Sequence, residues 1–291
     1  MKNIAYTVIT PARDEADHLE GLISSMASQS VRPVRWVIVN DGSTDATGAI
    51  ADEAAASHGW IRVVHREDRG HRKAGGGVID AFYDGMRAAE DSPFDYIVKL
   101  DGDLSFAKDY FERCFEVFAA EPHLGIAGGT VCLEIDGNFE PDSKVDPSFH
   151  VRGATKIYRR ECWEAIGGLL RQPGWDTVDE VKANMLGWNT RTLADVRVVH
   201  QRPTGEAYGK WRDMMKGGRA NFVAGYHPVF MCVKCVKRLF NPPYITGSLA
   251  LFWGYLTAGI NGVQRVPDPT LIRYFHQQQW NRLFLRKSLW G

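Results

Sequence analysis

The chain has 291 residues, 44% of them hydrophobic and 24% charged, with no low-complexity tract. That composition excludes a disordered or fibrous protein and allows one large or two small cored domains. Formal net charge is zero, but residues 201–291 carry 13 Lys+Arg against 3 Asp+Glu, and residues 1–200 carry 22 against 32. A basic last third on an acidic body points to an anionic partner for that third. The five cysteines are scattered and odd in number, and Met1-Lys2-Asn3-Ile4 does not open a signal peptide, which predicts a reducing, cytoplasmic setting. Cys232-Val-Lys-Cys235 stands alone, without a second pair or a nearby His, so it makes a poor zinc or redox motif.

Taken in order, the chain alternates short apolar runs with amphipathic stretches. Ile4 to Thr10 reads as a strand broken by Pro11, and residues 16–29 as a helix with Leu19, Leu22, Ile23 and Met26 on one face. Val34 to Val39 is a second strand. It ends in Asn40-Asp41-Gly42-Ser43-Thr44-Asp45, whose side chains can cap a helix over 45–57. Ile61 to His65 is a third strand. A glycine-rich basic loop, 69–77, leads to a helix that ends before Pro93, and 95–100 is a fourth strand. This alternation predicts βαβ units and a mostly parallel sheet, with ligands beyond the carboxyl ends of its strands.

Three post-strand loops then place carboxylates on one edge: Asp14/Glu15, Asp41, and Asp101/Asp103. Asp101-Gly102-Asp103 alone is equally a polar turn, since Asp and Gly dominate turns for conformational reasons. In company with the other two loops it reads as a site for a hard divalent cation and a diphosphate. Backbone N–H groups of the 69–77 loop suit phosphate oxygens, although the loop lacks the Gly-Lys-Ser/Thr ending of a P-loop.

Further on, a helix is predicted over about 108–120 and a strand from Ile126 to Glu134. A polar loop over 135–150 is a candidate lid. A strand from Ala154 to Arg159 and a short helix from Glu161 to Ile166 follow. Pro173-Gly174-Trp175-Asp176-Thr177-Val178-Asp179-Glu180 precedes or opens a helix through Leu186. Its acidic residues are in part ordinary partners of a helix N-terminus. Arg191 to Val199 is a strand running into His200, a lone histidine of the kind more often met at a surface than as a ligand.

In this combination the chain resembles the family 2 glycosyltransferases of the GT-A fold. Thr10-Pro11-Ala12-Arg13-Asp14-Glu15 resembles the family's first-strand motif, and Val39-Asn40-Asp41-Gly42-Ser43-Thr44-Asp45 its second-strand motif. Lys73-Ala74-Gly75-Gly76-Gly77 resembles its basic loop, and Asp101-Gly102-Asp103 its D-x-D. Glu161 to Gly168 and Asp176 to Gly187 resemble the acceptor-side segment that carries the base. The resemblance covers about residues 4–200. It implies a catalytic domain over 1–215, with a nucleotide-sugar half at 1–105 and an acceptor half at 106–215. The implied reaction is an inverting, metal-dependent sugar transfer from a nucleotide-diphosphate sugar to a lipid-linked or glycan acceptor in envelope glycan assembly.

On the same resemblance the first-strand motif, with Pro11, Arg13, Asp14 and Glu15, and Asp41 of the second would contact base and ribose. Asp103 would ligate Mg²⁺ or Mn²⁺, and Asp101 would serve ribose or metal. Arg72 and Lys73 would face the diphosphate, and His200 matches a further metal or phosphate contact. For the base, counting back from Gly187 favours Asp176, with Asp179 and Glu180 as competitors, although Trp175 stands where the family commonly has Glu. Trp175 is itself a candidate to stack on a sugar face. Two rival readings remain: a sugar-nucleotide nucleotidyltransferase, against which the Pro-Ala-Arg-Asp-Glu loop counts, and a non-catalytic, membrane-docked sugar-nucleotide-binding protein.

Residues 241–264 hold no charge, yet include four glycines, several polar residues and a Pro-Pro entry. Buried, interfacial or re-entrant, and spanning states are all open; the basic flanks and aromatics favour a helical, interfacial region over 216–291. Each basic residue near an anionic lipid surface adds about 1 kcal/mol. The chain is therefore expected at the inner face of the cell membrane, peripheral or monotopic. No nucleic-acid motif is present, and none is expected as a partner.

Overall fold

The computed structural model describes residues 4–68, 76–143, 146–202 and 209–291. The first half runs β1 (Tyr6–Ala12), α1 (Ala16–Ala27), β2 (Arg35–Asn40), α2 (Thr47–Ser57), β3 (Ile61–His65), α3 (Gly76–Ala88) and β4 (Tyr96–Leu100). Then come β5 (Leu104–Phe106), α4 (Tyr110–Ala120), β6 (Leu124–Ile135), β7 (Asn138–Pro141), β8 (Thr155–Arg159), α5 (Arg160–Ile166), α6 (Trp175–Met185) and β9 (Asn189–His200). Four helices close the chain: α7 (Lys210–Val223), α8 (Pro228–Arg238), α9 (Tyr244–Ile260) and α10 (Pro269–Leu283).

One sheet has the order β3-β2-β1-β4-β8-β6-β9-β5, with β7 paired to β6. The β3-β2-β1-β4 half is parallel throughout. The carboxyl ends of β1, β2 and β4 therefore share one edge, as the post-strand carboxylates require. Beyond β4 the sheet is mixed: β8 runs antiparallel to both β4 and β6, β6 pairs parallel with β9, and β9 pairs antiparallel with β5. Pro11 continues β1 rather than ending it. Pairing with β4 stops at Ile9↔Lys99, so the imide has no ladder bond to break on that side.

Strands β1, β2 and β4 are buried on both faces, as their continuous apolar runs demand. One face packs α1, α2 and α4, with the Tyr6 and Tyr96 rings 4.9 and 4.8 Å from Phe115. The other packs α3, α5 and Trp175. A third cluster joins Val178 and Val181 of α6 to the four last helices, so those helices sit against the back of the segment that bears the candidate base.

The 135–150 stretch is not a loop throughout. Asp136 and Gly137 both have positive φ, at 51° and 74°, and turn β7 back on β6. Two residues in that conformation match the twist of paired strands, which is why Asp-Gly favours a hairpin. In the C-terminal third, residues 241–264 contain a 17-residue helix, α9. Among the described residues, no helix is long and apolar enough to cross a membrane.

Candidate active site

The loop after β1 is fastened to the loop after β2. Arg13 Nη1 donates to the Asp41 carbonyl at 2.9 Å, and Nη2 pairs with Asp68 at 2.7 Å. Asp14 adopts φ 54°, in the left-handed region that Asp tolerates better than most residues, and its Oδ1 accepts from the Thr44 N–H at 2.9 Å. The Glu15 N–H donates to Thr47 Oγ1 at 2.8 Å. Asp45 accepts from the Thr47 N–H at 2.9 Å from one residue ahead of the α2 cap position, which Ala46 occupies without a side-chain capping bond. Asp41 is buried and pairs with Arg66. Pro11, Arg13, Asp14, Glu15 and Asp41 thus come together on the strand-end rim. Arg72 and Lys73 lie outside the described residues.

The next loop brings the Asp-Gly-Asp stretch to the same rim. A Cβ on Gly102 would stand 3.1 Å from Glu15 Cγ, so the glycine makes room for the neighbouring carboxylate. Pairing of Leu104 with His200 sets that histidine beside Asp103. Asp103 Oδ2 accepts from His200 Nε2 at 3.1 Å and from Arg202 Nε at 2.7 Å, and Arg202 also pairs with Glu15. Burial raises the Asp103 pKa, but the His200 and Arg202 contacts outweigh it and the net shift is downward. Glu15 is pushed up to about 7, first by burial and then by the Asp103 charge. Asp101 pairs with Lys99.

Among the described residues there is no ready-made group of three or more His, Cys, Asp or Glu ligands. The donor set nonetheless suits a hard divalent ion. Asp103 and Asp101 supply oxygen and His200 nitrogen, and Glu15 Oε2 is buried with no hydrogen-bond partner among the described residues. Mg²⁺-type sites commonly use one or two carboxylates and take their remaining ligands from substrate phosphates and water.

The second acidic centre lies at the start of α6. Asp176 is half-buried at the first turn, with Oδ2 about a van der Waals contact (3.6 Å) from where a Gly153 Cβ would stand. Gly153 also offers its carbonyl to Lys99 Nζ at 2.5 Å, and Lys99 holds Asp101. Asp101 is thus linked through Lys99 to Gly153, the residue beside which the Asp176 carboxylate also lies.

Asp179 and Glu180 differ from Asp176, since both are shut away from solvent and fully engaged. Lys156 Nζ donates to the Asp179 carboxylate at 2.9 Å and to the Asp176 carbonyl at 2.7 Å, and forms an ion pair with Glu180 Oε1 at 2.7 Å. Tyr158 donates to Asp179 Oδ2 at 2.6 Å. Glu180 also accepts from the Val151 N–H at 2.7 Å and bonds His150 Nδ1 at 2.9 Å. Burial raises the Asp179 carboxyl to about 6, with Lys156 opposing. Burial pushes the Lys156 ammonium down, but Asp179, Glu180 and Asp176 carry it above its ordinary value. Trp175 is buried, and its ring centre lies 5.5 Å from Lys99 Nζ and 5.4 Å from Lys156 Nζ. The ring is thus engaged with ammonium groups rather than presented as an open sugar platform.

Sequence reasoning missed Arg202, Lys99, Lys156, Tyr158 and His150. A lysine inside each of the apolar runs Tyr96–Leu100 and Thr155–Arg159 was the available signal. Cys232 is exposed and Cys235 buried on α8, and all five cysteines are free thiols.

The sheet thus has a parallel half and a mixed half, with Asp101-Gly102-Asp103 following β4 where the two meet. The family model for glycosyl transferase family 2 matches residues 7–168, and the chain belongs to that family. It is 32% identical to a polyprenol monophosphomannose synthase of Mycolicibacterium smegmatis over 174 residues, 55% of this chain and 63% of that one. It is 31% identical to the uncharacterized glycosyltransferase EpsJ of Bacillus subtilis over 122 residues, 42% of this chain and 32% of that one. The chain spans between about a third and just under two thirds of the length of these curated relatives. Among solved structures, the mannosyltransferase PcManGT of Pyrobaculum calidifontis, in complex with GDP-Man and Mn²⁺, superposes with a TM-score of 0.56 at 19% identity, covering 97% of this chain and 88% of that one. Staphylococcus aureus TarS in complex with UDP-GlcNAc gives 0.52 at 15%, covering 96% and 79%.

Proposed function

We propose that this chain is an inverting, metal-dependent glycosyltransferase, moving a sugar from a nucleotide-diphosphate sugar to a hydroxyl of a lipid-linked or glycan acceptor in envelope glycan assembly. The observation that supports the reading is the link from Asp101 through Lys99 to Gly153, beside which the Asp176 carboxylate also lies; we assign Asp101 to the nucleotide side and Asp176 to the acceptor side. Inversion requires attack opposite the leaving group, so a base and a diphosphate site must flank the sugar from two directions.

In this reading Asp14 and Asp41 serve base and ribose on a rim shaped by Pro11, Arg13 and Glu15. Asp103 and Asp101, with His200, would hold Mg²⁺ or Mn²⁺, which when bound neutralises the leaving diphosphate as a Lewis acid. Arg202, already beside Asp103, adds a planar cation suited to phosphate oxygens, and Arg72 and Lys73 are assigned to the same anion. Asp176 takes the proton of the acceptor hydroxyl as it attacks. Asp179 and Glu180 hold α6 through Lys156, Tyr158 and His150, so we assign them to positioning rather than proton transfer. Residues 216–291 place this machinery at the anionic cytoplasmic face of the membrane, where a lipid-linked acceptor would be met.

The test is nucleotide release from UDP-, GDP- and dTDP-sugars with and without Mn²⁺, preceded by a thermal-shift screen of the same donors. A ligand that binds only the folded state raises its apparent stability. GDP-mannose and UDP-GlcNAc head the screen, because the two structural neighbours hold them. Metal-stimulated release that persists in full in Asp103→Ala would refute the metal role. Transfer of the nucleotidyl group to a sugar phosphate would favour the nucleotidyltransferase rival.

A further inference from the structure

We propose that α8 and α9 form one docking face that lies flat on an anionic lipid bilayer. This deepens the membrane part of the preceding reading by assigning its surface, and its test does not depend on sugar transfer.

Helix α9 carries no charged residue in 17 positions. A helix apolar all round is expected to be covered all round, and α9 is covered on one side only. There it packs on α7 through small residues. A Cβ on Gly254 would stand 2.1 Å from the Met215 carbonyl oxygen, and one on Gly218 would stand 2.0 Å from that of Leu251. Its outward side presents Ile245, Leu249, Trp253, Leu256 and Ile260, spaced three or four apart and therefore on one stripe. Ile245 and Ile260 are 63% and 79% exposed.

The stripe does not stop at α9. Tyr244 at the start of α9 and Phe240 in the connection to α8 are exposed, and Val229, Val233 and Val236 lie along one exposed face of α8. At the start of α8, His227 meets Trp280 edge-on, and Trp280 stacks on Phe284, which with Leu285 is also exposed. Apolar exposure on this scale marks an interaction surface.

Charge selects the occupant. Among the described residues, the exposed charges on and next to these apolar segments in sequence are basic: Lys237 on α8, and Arg282, Arg286 and Lys287 around Phe284 and Leu285. A two-fold contact with a second copy would bring these cations toward one another. An anionic headgroup layer complements them, and Trp253 and Tyr244 suit the headgroup boundary. A helix of 17 residues spans about 25 Å, short of the roughly 30 Å hydrocarbon core, and its other side is committed to α7. The geometry is that of an interfacial helix rather than a span.

The full chain should float with vesicles of phosphatidylcholine containing roughly a third phosphatidylglycerol, and float less with phosphatidylcholine alone or in high salt. Leu249→Glu with Trp253→Glu should weaken flotation by at least about tenfold. Lys237→Glu should weaken it on the anionic vesicles only. Thermal shift by nucleotide sugars should be the same in all three proteins, so a failure of docking is distinguishable from a failure of the transferase reading. The proposal is overturned if the parent chain floats with neither vesicle, or if the double variant floats like the parent. A parent that sediments as a dimer which the double variant dissolves would make the face a contact between copies, and would equally overturn it.

Discussion

Lys99 and Lys156 lie directly opposite each other on antiparallel β4 and β8, and both are buried. Like charges directly opposed across a sheet repel, and buried ammonium groups are costly unless paired. Each finds its compensation on a different side of the site. Lys99 serves Asp101 and the Gly153 carbonyl, Lys156 serves Asp179, Glu180 and the Asp176 carbonyl, and the Trp175 ring lies within cation–π distance of both. Two lysines and one indole thus tie the candidate metal carboxylate to the candidate base. A local violation of packing rules that the surroundings offset in detail is where function is expected.

Removing Lys156 should expose what it offsets. Lys156→Met keeps the volume but leaves Asp179 and Glu180 buried without their cation, a loss expected to destabilise by about 3–5 kcal/mol. The measurement is the urea midpoint. Adding Asp179→Leu should recover part of that loss, because it removes one uncompensated carboxylate. A double variant no more stable than the single one would show that the lysine does not act through Asp179.

The three acidic residues of α6 should separate by readout. Asp176 is half-buried and Asp179 buried. Asp176→Asn should lower kcat by on the order of a hundredfold or more while leaving the donor KM and the melting temperature near the parent values. Asp179→Ala should instead lower stability by about 1–3 kcal/mol, since it strips the Tyr158 hydroxyl of its acceptor. A full kcat in Asp176→Asn, measured on an identified donor and acceptor, would move the base elsewhere on α6.

Stability should also depend on pH through His150. Burial pulls its imidazolium down, but the Glu180 carboxylate, its hydrogen bond and the Asp176 charge outweigh this and raise the pKa. A raised folded pKa means that the native state binds the proton more tightly than the unfolded chain. The contribution is complete below the ordinary value of about 6.5 and lost as pH rises through the raised one. Asp179, pushed up to about 6, shifts stability in the same sense at lower pH. His150→Gln should flatten the fall of melting temperature above neutral pH, and an unchanged slope would exclude the histidine as its source.

What was legible in the sequence was what local chemistry dictates. Ile61–His65 and the approximate bounds of β1, β2 and β4 follow from β-branched runs ended by Asn, Asp, Gly or Pro. Asp41, Asp101 and Asp103 follow from their places at strand ends. What was not legible depends on register. Lys99 meets Lys156, and Asp103 meets His200 and Arg202, only because β4 pairs with β8 and β5 with β9. Those pairings join positions 57 to about 100 residues apart, which no local pattern encodes. The β6–β7 hairpin was missed, although Asp136-Gly137 is a hairpin signal, because the polar stretch over 135–150 reads as a loop and hides the short second strand. For α9 the composition was readable, while the side that α7 covers was a tertiary fact.

The crossing of α7 and α9 makes the last prediction. Gly218 and Gly254 let the two backbones approach so closely that a side chain on either would strike a carbonyl, at 2.0 and 2.1 Å from its Cβ. The obstacle is backbone rather than a flexible side-chain tip, so relief requires the helices to separate. Gly218→Val should therefore cost roughly 1–3 kcal/mol through overpacking, and more than Gly262→Val, although Gly262 has positive φ, because a Cβ there meets nothing within 4 Å. Thermal or urea unfolding of the two variants measures the difference. Because the third core cluster joins α6 to α7, α8, α9 and α10, Gly218→Val should also lower sugar transfer, even though the substitution is remote from the strand-end rim. Equal stability and activity in the two variants would show that the crossing tolerates separation, and that α6 does not depend on it.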